Sequence, residues 1–389
     1  MKPMTYAGAG VRYDSLDPFK LEAQHAALLT AGNIANFRGG MFKEFGPSRG
    51  GSSYLIETPD SFFALVEEGL GTKNKVADAM LQLTGISYHG NTAQCTVAMI
   101  VNDMITSGAL PLSVAMHAAV GDADWFNDSY RAHKLIEGWK HACDLARCTW
   151  GCGETPALPG LIYPGAMVLS GSSIGVINPK DRRILGDIQE GDAIIFIESS
   201  GIHANGLTLA RKIADREDGF WRKLLSLLLP ETFPSKALPK GYLTCLSDGR
   251  TYGETLLTPT HIYVGVVADC LEAGIPIHAA ENITGHGLRK LMRSVIPFTY
   301  VIDTLPRKQP VFDFIEQHGP VDKREMYGNF NMGAGFALFV AEKNVKKTLE
   351  VIYANHHKGF VAGYVEKGQK RVIIRPENLE FQGETLAIR

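Results

Sequence analysis

The sequence predicts a two-domain chain of mixed class, α/β or α+β. Three observations carry that expectation. The length of 389 residues exceeds what one hydrophobic core usually organises. Strand-like and helix-like apolar patterns alternate along the chain instead of falling into blocks. Near 178–190 a polar stretch holding Pro179 interrupts both, so the expected domains are 1–178 and 179–389.

Each element has its own reason. Over 129–148, Leu135, Trp139, Ala142, Cys143 and Ala146 share one helical face. "AMVLSGSSIGVI" (166–177) reads as a buried strand, and "DAIIFIESSG" (192–201) as a second strand ending in a turn. "GLTLARKIA" (206–214) then begins a helix, and "GAGFALFVAE" (333–342) is a further strand. Asn344 is placed to cap a helix through Val345, Leu349 and Ile352. Residues 215–257, with three prolines at 230, 234 and 239, read as an insertion or surface excursion. "ENLEFQG" (377–383) is close to a protease-tag site and is left out of the fold reading.

Composition narrows the function classes. Apolar residues make up 45%, charged residues 21%, and the net charge is −2, so nothing basic invites nucleic acid. The N-terminus lacks the apolar core of a secretory signal, and no run is long enough to predict a membrane span. The six cysteines form no CxxC pair, which suits reduced thiols in a cytoplasmic protein.

"EEGLGTKNK" (67–75) invites a phosphate-loop reading that fails, because Gly-Lys occurs nowhere in the chain. The amides of Gly69 and Gly71 with Lys73 suit an anion-binding turn, and equally a solvated one. "GSSIG" (171–175) has the nucleophile-elbow spacing but sits inside an apolar strand. Asp122, Asp124 and Asp128 miss the calcium-loop spacing. Asp103 in "NDMITSGALP" (102–111) and Glu154 in "GCGETPALPG" (151–160) are oxygen donors suited to Mg²⁺, or exposed loop acids. His203 and Asn205 in "SSGIHANG" (199–206) stand at a strand-to-helix turn, where α/β folds hold ligands. Asn329 and Asn331 precede the strand at 333 with the same two readings.

The order of these segments is more telling than any one of them. "YAGAGVRYD", "GLGTKNKVA", "VND…GALP", "GETPALPG", "SSGIHANG", "LTPTHIYV", "ITGHG" and "EMYGNFNMGAGF" follow one another as in the aminoimidazole ribonucleotide synthetases, or phosphoribosylformylglycinamidine cyclo-ligases. The resemblance runs from Tyr6 to Ile374 apart from 215–257. It implies two α+β domains, with the N-terminal one binding ATP and pairing with a second subunit in a dimeric β-barrel. It also implies ATP-dependent ring closure of a small nucleotide substrate, formylglycinamidine ribonucleotide, without nucleic acid or membrane. By the same resemblance Glu68, Asp103 and Glu154 hold Mg²⁺. Gly69, Gly71, Thr72, Lys73, Lys75, Asn102, Thr155 and Asn331 bind the nucleotide, and His203, Asn205 and Lys73 are catalytic.

The chain also departs from that family's pattern. Glu68 stands for an aspartate, Ala157 for a glutamate, and Cys95 and Met116 for acidic residues. His286 interrupts a triple glycine, and Gly328 and His261 replace arginines. These changes bear on metal count, phosphate grip and substrate. Two other readings stay open: a superfamily enzyme using ATP on another acceptor, and a catalytically silent nucleotide-binding homologue.

Overall fold

The computed structural model describes residues 3–184, 186–216, 224, 227–228, 238 and 240–386. An N-terminal arm of three helices comes first: α1 (Tyr6–Ala9), α2 (Tyr13–Leu28) and α3 (Ala31–Ala35). Strands β1 (Lys43–Glu44), β2 (Tyr54–Glu57), β3 (Phe62–Gly69), β4 (Leu110–Val120), β5 (Thr149–Glu154) and β6 (Met167–Ile177) then form one sheet in the order β1-β2-β3-β6-β4-β5. Its pairings are antiparallel except β4 with β5. Helix α4 (Lys73–Thr84) leaves the end of β3, while α5 (His89–Ile105) and α6 (Ser129–Leu145) cover one sheet face.

The glycines of β6 explain why "GSSIG" is strand and not elbow. A Cβ on Gly171 would meet Ala115 O at 2.3 Å, and one on Gly175 would meet Met104 Sδ at 2.2 Å. Bare backbone there lets α5 and β4 close on β6. Ser173 is buried and donates to Ser113 O at 2.8 Å. The sheet's other face is open, with Leu65, Leu112, Val168 and Ile174 between 46% and 52% exposed.

The second sheet uses β7 (Ala193–Glu198), β8 (Ala279–Asn282), β9 (Phe298–Ile302), β10 (Ala334–Val340), β11 (Gly359–Lys367), β12 (Arg371–Ile374) and β13 (Leu379–Gln382), in the order β13-β12-β9-β11-β7-β10-β8. Helices cover both faces. Ile194, Phe196 and Phe339 pack toward α7 (Leu207–Ala214), α8 (Tyr252–Leu256), α10 (Pro310–His318) and α11 (Lys323–Asn329). Ile195, Ile197 and Leu338 pack toward α9 (Val264–Glu272), α12 (Val345–Ala354) and α5.

Helix α5 ties the halves together. Asn91 Nδ2 donates to Leu257 O, Gln94 Nε2 to Thr260 O and Asn102 Nδ2 to His261 O. Asn102 Oδ1 and Cys95 Sγ accept from the amides of Tyr263 and Thr260. Helical spacing puts these side chains on one stripe, which pairs backbone groups that no strand satisfies.

Three expectations need correction. Asn344 makes no side-chain cap, because a 3-10 turn (Glu342–Asn344) already leads the chain into α12. The stretch 215–257 lies partly outside the described residues, but its end is core and not excursion, since Tyr252 and Leu256 are fully buried. "ENLEFQG" belongs to the fold: Leu379–Gln382 pairs antiparallel with β12 and Phe381 is buried.

Candidate active site

Five segments meet at one cleft. Glu68, paired opposite Gly171, is the penultimate residue of β3, and the chain then turns through Gly71 at φ +71°, with open space where a Cβ would point. Asp103 lies near the C-terminus of α5. Residues 283–287 turn beyond β8, with His286 at φ +73°. Residues 203–206 precede α7, where a Cβ on Gly206 would strike the Phe330 ring at 2.1 Å. Tyr13, Asp17 and Lys20 of α2 form the roof.

The deeper cavity, about 280 Å³, gathers Glu68, Asp103, Asn205, Thr284, Lys290 and Arg293 under Tyr13 and His286. A second, about 240 Å³, lies over Gly69–Thr72 and shares Tyr13, Glu68, Asn205 and Gly285 with the first.

Charge concentrates in the deeper cavity. Asp103 Oδ1 accepts from Asn282 Nδ2 at 2.7 Å. Burial, then the nearby Asp103 charge, pushes the Glu68 carboxyl up to about 7, against the pull of Lys290 and Arg293. Lys290 is buried and donates to Thr284 Oγ1. Burial, then Arg293, holds its ammonium below the ordinary lysine range, opposed by Asp103, Glu281 and Glu68. Burial, then Arg289 and Lys290, pushes His286 down to about 3, so it is neutral, and its ring rests 4.4 Å from that of Tyr13.

The donor set suits a hard divalent cation. The Asp103 charge raises the proton affinity of Glu68 at the same cavity wall, and a cation between the two carboxylates relieves that repulsion. Among the described residues, no three His, Cys, Asp or Glu side chains cluster closely enough to hold a metal unaided. The remaining ligands of Mg²⁺ here would be phosphate oxygens and water.

The structure separates the residues singled out in the sequence. Glu68, Gly69, Gly71, Thr72, Asp103 and Asn205 line the cavities. Asn205 Nδ2 is buried without a protein partner, and Thr72 Oγ1 meets Thr208 Oγ1 at 3.1 Å. Lys73 points elsewhere: it is fully buried, and Nζ donates to His203 O at 2.8 Å and Thr258 O at 3.0 Å. His203 is buried behind the cleft. Its Nε2 accepts from Ser200 N at 3.2 Å, and burial holds it well below the usual histidine range. Asn331 is saturated by Gly201 O, Gly333 N and Ser199 Oγ. Asn102 serves the α5 stripe. Lys75 Nζ lies 5.4 Å from the centre of the Tyr163 ring.

Glu154 does not join Glu68 and Asp103. The register runs from Gly69 to Ser170, from Ser170 to His117 and from His117 to Glu154. That is three strand spacings, roughly 14 Å. Thr155 follows it, exposed. Sequence reasoning missed Lys290, Arg293, Asn282 and Tyr13. A signal for the first two exists in "RKLMR" (289–293), three cations in five residues with Leu291 and Met292 between them.

Fold and cleft together define an AIR synthase related protein. The N-terminal domain model of that class matches residues 56–177 and its C-terminal domain model matches 189–375. The phosphoribosylformylglycinamidine cyclo-ligase of Carboxydothermus hydrogenoformans is 34% identical over 323 residues, covering 79% of this chain and 81% of that one. Its namesake from Symbiobacterium thermophilum is 32% identical over 387 residues, covering 96% and 99%. The chain therefore belongs to the phosphoribosylformylglycinamidine cyclo-ligase family. Among solved structures, a HypE–HypF complex superposes with TM-score 0.53 at 16% identity, covering 90% of this chain and 95% of that one. AaThiL complexed with AMPPCP and TMP gives 0.51 at 14%, covering 86% and 90%. These two likenesses concern the fold alone.

Proposed function

We propose that this chain is an ATP-dependent carbon–nitrogen ligase of purine biosynthesis, closing formylglycinamidine ribonucleotide to aminoimidazole ribonucleotide. The observation that carries the reading is the Glu68–Asp103 pair beside a glycine turn, faced by Lys290 and Arg293. Phosphoryl transfer needs positioning and charge neutralisation more than covalent help from the protein. The amides around Gly69 and Gly71 and the Thr72 hydroxyl bind phosphate. Glu68 and Asp103 hold Mg²⁺, which when bound offsets the negative charge on the phosphates. Lys290 balances the acid pair. Asn205 offers its unpartnered amide to the substrate.

His203 and Lys73 act from behind. A buried neutral imidazole and an ammonium on two carbonyls fix the 199–206 turn that presents Asn205. Asn102 and Asn331 position the same walls.

The open face of the first sheet supports a homodimer in which two such sheets close into a barrel. Glu154, Thr155 and Lys75 lie in that sheet or beside it, and contribute through the dimer. Residues 1–178 are the ATP-binding and dimerisation domain, 179–389 the synthetase-like domain, and the enzyme is cytoplasmic.

ADP should form only when formylglycinamidine ribonucleotide, ATP and Mg²⁺ are all present, and expression should rescue a purine auxotroph lacking this step. Absence of turnover with all three overturns the activity. Glu68→Gln should raise the Mg²⁺ requirement; an unchanged metal dependence removes Glu68 from that role. Ile174→Lys should yield a folded monomer by light scattering, and a persistent dimer would move the interface elsewhere.

A further inference from the structure

Two thiols meet just past the end of α6, and neither lines the cleft. We propose that Cys143 and Cys148 are a redox-active dithiol, which small disulfides of the glutathione class oxidise to an intramolecular disulfide. This chemistry does not depend on the reaction proposed above.

The backbone brings the pair together. Helix α6 ends at Leu145, and Arg147 reverses the chain at φ +55°. Cys148 N then donates to Cys143 O at 3.1 Å, a closure common at helix ends. A left-handed residue other than glycine needs support. Here the other half of the chain supplies it. Arg147 Nη1 donates to Asp269 Oδ1 at 2.7 Å, and Nη2 to Asp269 Oδ2 at 3.3 Å. Asn355 Nδ2 donates to the same carboxylate at 2.8 Å. Asp269 belongs to α9 and Asn355 follows α12, so the turn that joins the thiols is clamped from outside.

The two thiols are unequal. Cys143 is buried in the core of the first half, whereas Cys148 packs against that core and is partly exposed. The Cys143 thiol donates to Cys148 Sγ. That bond, then burial, pushes the Cys143 thiol up. The same bond holds Cys148 below the ordinary thiol range, against the effect of burial. The thiolate is the nucleophile in disulfide exchange, and here it forms on the sulfur a reagent can reach.

The exchange balances without help from the cleft. Cys148 gives its proton to water, and its thiolate attacks one sulfur of the small disulfide. That S–S bond breaks and one small thiolate leaves. Cys143 then loses its proton and attacks Cys148 Sγ, which expels the second small thiolate. The two released thiolates take up the two protons, so the protein gives up two electrons and the small disulfide gains them.

Cys152 is not the partner, although it lies nearer to Cys148 in sequence. Trp150 pairs opposite Val114, and its ring lies 6.1 Å from that of Trp139 in α6. After a bulge Cys152 pairs opposite Ala115, which puts it on the open face of the sheet, away from α6.

Oxidised glutathione on the full chain at about pH 8, where thiolates are abundant, tests this, read by alkylation and tryptic peptide masses. Cleavage after Arg147 separates the two cysteines into peptides 141–147 and 148–180. Wild type should yield these two joined, lighter than their sum by two hydrogens, and dithiothreitol should part them. Cys148→Ser should abolish the joined species, and Cys152→Ser should leave its yield within about twofold. Cys143→Ser should stop at one glutathione on Cys148. Cys143→Ala should do the same, and it covers the case in which a buried serine hydroxyl unfolds the chain. Cys245, exposed and outside the pair, is the internal standard. The proposal is overturned if Cys143 and Cys148 both stay alkylatable once Cys245 is fully modified. It is equally overturned if wild type keeps glutathione on Cys148 without closing, or if the joined species survives Cys148→Ser.

Discussion

Two groups of polar side chains flank the cleft, some of them neighbours in the chain, and they are built on opposite terms. Lys73, Asn102, His203 and Asn331 are tied to the scaffold: each bonds backbone groups or a neighbouring hydroxyl. Glu68, Asp103, Lys290 and Arg293 face a cavity and balance mainly one another. Satisfied polarity is scaffold, whereas charge that the fold leaves for something else to meet marks a site. Motif membership does not separate the groups, since "GLGTK" contributes Lys73 to the first and lies directly after Glu68 of the second.

That contrast breaks if variants of the two groups behave alike. The largest effect belongs to Asp103→Asn, which should lower the rate of ADP formation by about 10²-fold or more with little change in melting temperature. A stability loss with activity preserved would move Asp103 to the scaffold. Lys73→Met should do the reverse, costing about 3 kcal/mol in urea unfolding because two carbonyls lose their donor, with turnover per folded molecule falling much less. Asn331→Ala sharpens the scaffold side with a smaller cost, about 2 kcal/mol by the same measurement.

The smallest effect is a pH slope. Burial, then His357, pushes His261 down to about 4, from an ordinary value of 6.5. Between those values the unfolded chain takes up a proton that the fold refuses. Stability is therefore full above pH 6.5 and declines toward pH 4. His261→Gln should flatten that decline by about one proton in the unfolding linkage. An unchanged slope would place the acid sensitivity in His203 and His357, whose imidazoles burial also depresses.

Much of this was legible in the sequence, but unevenly. Periodicity located α6 and β6 because their buried faces repeat at 3.6 and 2 residues. The order of short motifs identified the family although each alone had a bland alternative. The pairing of Lys290 and Arg293 with Glu68 and Asp103 was not legible. Those residues lie some 190 to 225 positions apart in the chain, and only the meeting of β3, α5 and the turn after β8 joins them. Lys73 misled for a related reason: a lysine after a glycine turn has the same local signature whether it meets phosphate or backbone carbonyls. The strand through "GSSIG" is legible, but the reason for its glycines is not: they permit the close approach of α5, a contact with no trace at their own positions.

The stripe along α5 also bears on how the chain can be cut. Asn91, Gln94, Cys95 and Asn102 serve backbone groups between Leu257 and Tyr263, all beyond the break at 178. Halves made separately would each carry one side of an unmated zipper, with exposed donors on the first and exposed carbonyls on the second. Co-expressed, they have a ready-made recognition code for finding each other. The break between the two sheets is thus a natural place to split this enzyme into complementing fragments, with α5 as the part that reads its partner.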